Sequence, residues 1–223
     1  MTTRTAESYL EIIYMMMAEE QSVIGARLAE ALHVSRPTVT ATLKRMVREG
    51  LVKIDSHKEI QMTAKGRAIA ERLQHRHRIV ERWLTDVLGL DWAKSDAEAH
   101  HLEHAMSDEV AELLNKHLDY PATCPHGNPI PGNPQSTSKS PVTQLSQAKE
   151  NDRVVIVRIS EYAENVNELL DYLGSHGLIP GTPVTLVEIA PLKGPLTLKL
   201  GTRTVSMSRE VAGFVWVKPE PNR

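Results

Sequence analysis

The segment from residue 25 to residue 62 constrains the fold more than any other part of the chain. It contains a short helical run, GARLAEAL, a polar turn, and a second helical run that begins near Pro37 and is closed by Gly50. Proline favours the first position of a helix, and glycine favours the position just beyond its last turn. Two short apolar runs follow, LVKI and EIQM, and the polar DSHK between them predicts a hairpin. This order of elements is typical of a winged helix-turn-helix.

Basic charge is concentrated on the same part of the chain. The 223 residues have a formal net charge of −2, yet between Arg36 and Arg82 twelve basic residues face five acidic ones, an excess of seven positive charges. Such a surface is typical of proteins that contact nucleic-acid phosphates. In a helix-turn-helix the second helix enters the major groove with its first residues against base edges. The candidate DNA contacts are Ser35, Arg36, Pro37, Thr38, Thr40 and Lys44.

One other interpretation of this segment is a helical hairpin inside an unrelated fold. The turn residues, the basic charge and the hairpin that follows agree with one another only in the winged helix, so we favour that fold. Double-stranded DNA is then the expected partner.

Beyond the hairpin, helical patterns predict two long helices. Thr63 is a candidate N-cap for a helix from residue 64 to about residue 88, and Ser95 is one for a second helix that runs to about Leu118. Residues 120–149 are rich in Pro, Gly, Asn and Ser, which indicates irregular chain that ends in a flexible linker. From Asp152 onward short strands and one helix predict a separate small barrel.

Composition excludes several classes of protein. Apolar residues make up 41% and charged residues 24%, as in globular proteins, while aromatics are only 4%, so aliphatic side chains must fill the core. No apolar run is long enough to cross a membrane, and Glu7 and Glu11 stand where a signal peptide is apolar. We therefore expect a cytoplasmic protein without a membrane partner. The single cysteine, Cys124, excludes an intramolecular disulfide.

Histidines crowd the two predicted long helices. Five of the ten histidines fall within thirty residues: His75, His77, His100, His101 and His104. His77 and Glu81 are spaced i, i+4, and the spacing i, i+3, i+4 joins His100, Glu103 and His104. Each set lines one face of a helix. Imidazoles and carboxylates on neighbouring helices are how helical bundles hold divalent metals.

The alternative interpretation of these histidines is a solvated polar face. It is the commoner explanation for a lone pair of residues, but the two sets together favour a metal site. Cys124 alone would usually be a buried structural residue, and its thiolate is a further candidate ligand.

Four stretches, taken in order, resemble the diphtheria-toxin-repressor family of iron- and manganese-dependent regulators. They are LAEALHVSRPTVTATLKRMVREGLV, HRIVERWLTDVLGLD, EAHHLEHAMSDEV and PHGNPIPG. The resemblance covers nearly the whole chain, and its last module resembles the SH3-like domain shared with ferrous-transport accessory proteins. It implies a homodimeric repressor that binds two Fe²⁺ or Mn²⁺ ions per subunit. It further implies docking on a palindromic operator ahead of metal-uptake genes.

The resemblance also implies ligand sets. The family's primary-site positions are matched by His100, Glu103 and His104, and the positions of its other site by His77, Glu81 and Asp96. At the first-helix ligand position this chain has Ser8, a poor ligand, and Glu11 is the oxygen donor one turn later. Cys124 matches members that recruit a thiolate from the loop, so Cys124 or Glu11 is expected to complete the primary site. In the last module the candidates are Asn165 and Glu168.

The predicted fold is mainly α with a C-terminal β module. Its expected parts are a winged helix-turn-helix domain over 1–63, a helical metal-binding and dimerisation domain over 64–125, a Pro/Ser-rich linker over 126–150, and the SH3-like barrel over 151–223.

Two other classes of function remain as alternatives. A helical-bundle metalloenzyme would leave the winged helix unexplained, and no nucleophile triad or phosphate loop supports turnover. A repressor that responds to a small organic ligand would need an apolar pocket, which the few aromatics disfavour. The metal is expected to be Fe²⁺, which suits Cys124 and the imidazoles, or Mn²⁺, which suits the carboxylates. Zn²⁺, Co²⁺ and Ni²⁺ are the other divalent metals that such ligands accept.

Overall fold

The computed structural model describes residues 3–134, 141–160 and 166–220. The chain divides into two compact units, residues 1–77 and residues 78–223, and each is described by itself. Within the described ranges no helix is both long enough and apolar enough to cross a membrane.

The first unit has the order of elements that the sequence predicts for a winged helix. Its elements are α1 (Arg4–Ala18), α2 (Gly25–Ala31), α3 (Arg36–Arg48), β1 (Val52–Ile54), β2 (Ile60–Met62) and the first part of α4 (Ala64–Arg82). The two strands pair antiparallel, with Val52 opposite Met62. The predicted winged helix-turn-helix is confirmed.

Local chemistry explains where α3 begins and ends. The Ser35 hydroxyl accepts a hydrogen bond from the Thr38 backbone N–H at 3.3 Å, as an N-cap does. Gly50 has φ +68°, the left-handed conformation that ends a helix. The inner face of the helix buries Val39, Leu43 and Met46. These buried residues are spaced four and three positions apart, so the basic side chains of the helix lie on the opposite face.

The wing is shaped by one aspartate. The Asp55 carboxylate accepts hydrogen bonds from the backbone N–H groups of His57 at 2.8 Å and Glu59 at 2.9 Å. These two bonds add to the backbone hydrogen bond between Asp55 and Glu59 and hold the turn. At the base of the wing, the Ile60 N–H donates to the Val23 carbonyl at 2.8 Å. The hairpin is thereby tied to the chain that enters α2.

The start of α4 lies close against the hairpin. The Gly66 N–H donates to the hydroxyl of Thr63 at 3.1 Å, which confirms Thr63 as the N-cap. A β-carbon on Gly66 would lie 2.0 Å from the Leu51 carbonyl oxygen, so only glycine fits there. Close backbone contact between helix and hairpin therefore depends on this one position.

In the second unit, α4 continues into a wide turn of π-helix over Trp83–Val87, and Gly89 at φ +68° ends it as predicted. Two shorter helices follow, α5 (Trp92–Glu103) and α6 (Asp108–His117). The prediction of one helix from Ser95 to Leu118 is wrong. Asp91 caps α5, whereas Ser107 accepts from the Val110 N–H at 3.2 Å and begins α6, so the chain turns between them.

The rest of the second unit is a small antiparallel barrel with two helices. Its strands are β3 (Thr143–Gln144), β4 (Arg153–Ile159), β5 (Pro183–Ile189), β6 (Leu196–Leu200), β7 (Arg203–Met207) and β8 (Val215–Pro219). They are ordered β3-β8-β4-β5-β6-β7. The helices are α7 (Val166–Ser175) and α8 (Arg209–Gly213). Alternate strand residues and the inner face of α7 form one core, which includes Ile156, Leu186, Leu198, Leu170 and Leu173.

The predicted linker over 126–150 is too long. Thr143 pairs with Val217 of β8, and Leu145 is fully buried in the barrel core, so this part of the chain belongs to the barrel. Residues 126–134 are also packed, with Ile130 fully buried. In these two segments a composition that is typical of linkers therefore belongs to packed chain.

Candidate metal centre

A loop after α6 carries the single cysteine and is held against α4. The Arg82 guanidinium donates to the Thr123 carbonyl at 2.8 Å. Within the loop, the Cys124 N–H donates to the Asn128 carbonyl at 2.9 Å, and Gly127 at φ +85° completes the tight turn. The loop therefore has a defined conformation although it contains no regular element.

Glu81, Cys124 and His126 come together beneath this loop. The three side chains are fully buried, and one ligand atom from each lies within 4.8 Å of the others. The His126 Nδ1 lies 2.8 Å from the Glu81 Oε1 and 4.0 Å from the Cys124 Sγ. The other ring nitrogen, Nε2, lies 3.0 Å from the Trp92 carbonyl oxygen.

That last contact decides which nitrogen can bind a metal. A carbonyl oxygen only accepts, so Nε2 of the His126 ring carries a hydrogen, and Nδ1, which faces Glu81 and Cys124, is the nitrogen whose lone pair a metal can take. Metal-binding histidines are oriented by such an outer hydrogen bond. One imidazole, one thiolate and one carboxylate in a buried pocket fit a divalent transition metal.

A second group lies on α5 and at its end, where the spacing predicts it. The buried Glu103 carboxylate has His100 Nδ1 at 3.1 Å and His104 Nε2 at 3.3 Å from its Oε1. His101 lies apart from this group, because its ring faces the Ala97 carbonyl at 2.8 Å on an exposed face. The structure therefore brings together the three residues predicted for the primary site. Cys124, a predicted candidate to complete that site, lies instead with Glu81 and His126.

The remaining predicted ligands in the helices are placed as follows. His77 is buried on α4, one turn before Glu81, and Asp96 is half-buried on α5. On α1, the Ser8 hydroxyl donates to the Arg4 carbonyl at 3.2 Å and Glu11 is buried.

Two further metal ligands are predicted in the last module. Glu168 is exposed on α7, and Asn165 lies outside the described residues. Their participation in a metal site stays a prediction.

His126 is the ligand candidate that the sequence analysis missed. The signal was available: Cys124 and His126 are separated by one residue within PHGNPIPG and its flank. The composition of this stretch predicts irregular chain, in which no helical spacing relates a histidine to other ligands. Only the folded loop places its ring beside Glu81, forty-five residues earlier in the chain.

The predicted DNA contacts all lie exposed at the start of α3 or along it. They are Ser35, Arg36, Pro37, Thr38, Thr40 and Lys44. The hydroxyls of Ser35 and Thr38 lie 2.8 Å apart, which holds both at the first turn. Side chains with this exposure are available to a DNA groove.

Three family models match successive parts of the chain. The iron dependent repressor N-terminal DNA binding domain matches residues 1–60, the iron dependent repressor metal binding and dimerisation domain matches 63–132, and the FeoA domain matches 143–219. The chain belongs to the iron-dependent repressor family.

Named relatives agree with this assignment. The iron-dependent repressor IdeR of Mycobacterium leprae is 35% identical over 96% of both chains. The diphtheria toxin repressor of Corynebacterium diphtheriae is 37% identical, again over 96% of both. A solved manganese-dependent transcriptional repressor in complex with manganese has a TM-score of 0.84 at 28% identity and covers 96% of this chain and 100% of its own. These relatives are named as repressors, so the metalloenzyme alternative is set aside.

Cys124→Ser tests the thiolate. We expect the substitution to abolish the thiolate-to-metal charge-transfer absorption of the Co²⁺-loaded protein, because a serine hydroxyl is a harder and weaker ligand. Affinity for Fe²⁺ should fall at least about tenfold, and affinity for Mn²⁺ should fall less. The control is His101→Gln, a histidine outside both groups. Unchanged binding of both metals by Cys124→Ser would show that the cysteine is structural.

Proposed function

We propose that this protein is a cytoplasmic transcriptional repressor that Fe²⁺ or Mn²⁺ activates. As a homodimer it binds a palindromic operator in double-stranded DNA and controls genes for metal-ion uptake. The observation that supports this most is the buried group of Glu81, Cys124 and His126. The same chain carries a helix-turn-helix that exposes six candidate DNA contacts. A buried carboxylate beside a thiol and an imidazole is poorly suited to a structural core and well suited to a cation.

Two metal sites per subunit are part of this proposal. One is formed by Glu81, Cys124 and His126, and its sulfur favours Fe²⁺ among the two metals. The other is formed around Glu103 by His100 and His104. The family positions of Glu11, His77, Asp96, Ser8, Asn165 and Glu168 remain candidate ligands. Zn²⁺, Co²⁺ and Ni²⁺ suit the sulfur-containing site as alternatives.

The dimer surface that we propose lies on α6 and the end of α5. Val110 is 46% exposed and Leu113 is 61% exposed, and they are three residues apart on one face of α6. Leu102 near the end of α5 is 38% exposed. Large apolar side chains that are exposed to water at neighbouring positions of a helix, such as Val110 and Leu113, are typical of an interaction surface. We assign a second copy of the chain as the occupant, because a palindromic operator requires a two-fold symmetric protein.

Removing metal should weaken operator binding. We expect chelator-treated protein to bind an operator, selected from random duplexes by the metal-loaded protein, about 5–150-fold more weakly than protein with Fe²⁺ or Mn²⁺. Fluorescence anisotropy with labelled duplex under anaerobic conditions measures this directly. Mg²⁺ is the control cation, since it prefers all-oxygen sites. Equal operator affinity with and without Fe²⁺ and Mn²⁺ would contradict a metal-activated repressor.

Arg36→Ala should weaken operator binding without affecting metal uptake. The side chain is exposed at the first turn of α3, where it can reach a guanine or a phosphate. The expected loss of binding free energy is about 1–3 kcal/mol. The matched control is Arg153→Ala, which removes the same charge from the barrel, where Arg153 pairs with Glu220 at 3.1 Å. If Arg36→Ala lost its metal and kept its operator affinity, α3 would not be the recognition helix.

Leu113→Asp should convert the dimer to monomers. A charge in the centre of an apolar interface is left without a partner on association, so the dimer dissociation constant should rise by at least about 100-fold. Sedimentation equilibrium measures the change. The control is Val187→Asp, an equally apolar side chain that is 39% exposed on β5. A Leu113→Asp protein that remains dimeric would show that the copies associate through another surface.

A further inference from the structure

Trp92, the first residue of α5, holds His126 from two sides. Its indole Nε1–H donates to the carbonyl of Pro125, directly before His126, at 3.2 Å. Its own carbonyl accepts from the His126 Nε2 at 3.0 Å, and the two ring centroids are 4.7 Å apart. The orientation of the candidate metal-binding ring therefore depends on where the first turn of α5 lies.

The same tryptophan packs against the barrel. A β-carbon on Gly174 of α7 would lie 3.2 Å from the Trp92 Cε3, so any side chain larger than hydrogen there would press on the indole. The next residue, Ala93, is buried in the barrel core together with Leu170 and Leu173. The first turn of α5 is thus part of the barrel core and an anchor for His126.

A second connection joins the barrel to the loop itself. The Ile159 N–H at the end of β4 donates to the His126 carbonyl at 2.9 Å, and the Asn128 side chain donates to the Ile159 carbonyl at 2.8 Å. Between them, a β-carbon on Gly127 would lie 2.1 Å from the Val157 carbonyl oxygen. The backbone of the loop can approach β4 only because residue 127 is glycine.

We propose that Trp92 is a positioning residue through which packing of the barrel on α5 sets the metal affinity of the Glu81, Cys124 and His126 group. The inference rests on the proposed function and deepens it. Barrel docking orients the His126 ring, so metal and docked barrel stabilise each other, and the linkage is reciprocal. The metal affinity of the site therefore depends on whether the barrel is packed against α5.

The first test perturbs docking without touching a ligand. Gly174→Leu places a side chain in the space of the Trp92 indole, while leucine favours a helix more than glycine does, so α7 itself is not weakened. The matched control is Ser175→Leu at the next, exposed position. Titration with Co²⁺ against a competing chelator should show affinity about 10–100-fold lower for Gly174→Leu and unchanged for Ser175→Leu. Trp92→Phe loses the bond to Pro125 and the benzo-ring contact with Gly174 but keeps the backbone carbonyl that accepts from His126, so it should lower the affinity less.

The second test measures the reverse effect on the unaltered chain. Hydrogen exchange of the α7 amides should slow when Co²⁺ binds, and should not respond to Co²⁺ in Cys124→Ser. A side chain that merely stabilises the fold would not make α7 respond to a metal. The proposal is overturned if Co²⁺ leaves α7 exchange unchanged in the unaltered chain. It is equally overturned if Gly174→Leu or Trp92→Phe speeds that exchange and keeps full Co²⁺ affinity.

The outcome also separates this inference from the proposed function. If the unaltered protein shows no thiolate-to-Co²⁺ absorption, the sulfur-containing metal site itself is wrong. If the absorption is present and α7 does not respond, the metal site stands and only the role of Trp92 fails.

Discussion

The contact between Glu81 and His126 is the interaction on which the second unit depends. A carboxylate removed from water costs several kcal/mol unless a positive group or a cation compensates it. Glu81 is fully buried, and the His126 Nδ1 lies 2.8 Å from it. To place that ring, the loop must turn at Gly127 and the Trp92 carbonyl must lie at its far side. The buried Glu81 carboxylate thus determines the path of chain segments that are distant from it in sequence.

A cation at this position would act as a cross-link. Glu81 belongs to α4, whereas Cys124 and His126 belong to the loop after α6, and the loop in turn contacts α5 and β4. Binding free energy at such a site is also folding free energy for the elements that supply the ligands. Metal binding can therefore change how well ordered the second unit is, in addition to changing its charge. This is the property that a metal-responsive regulator needs.

The parts predicted correctly from sequence are those with local signals. Pro37 and Gly50 mark the two ends of α3, and the strands of the barrel are visible as short apolar segments. The errors arose where local signals were ambiguous. The helical pattern continued across Ser107, whose capping role depends on the acidic turn after it, and a Ser/Gln-rich stretch concealed the buried Leu145. Cys124 and His126 lie two positions apart and could have been seen as a pair, but their partner Glu81 comes from α4, and no spacing rule connects a loop to a helix.

The most direct test of the account is X-ray absorption at the zinc edge of the protein loaded with two equivalents of Zn²⁺, a redox-inert substitute that fills both proposed sites. About one sulfur scatterer per two zinc ions is expected at about 2.3 Å, together with nitrogen and oxygen scatterers. The sulfur should be absent from Cys124→Ser. A shell of nitrogen and oxygen alone in the unaltered chain would contradict the central claim that Glu81, Cys124 and His126 form a metal site.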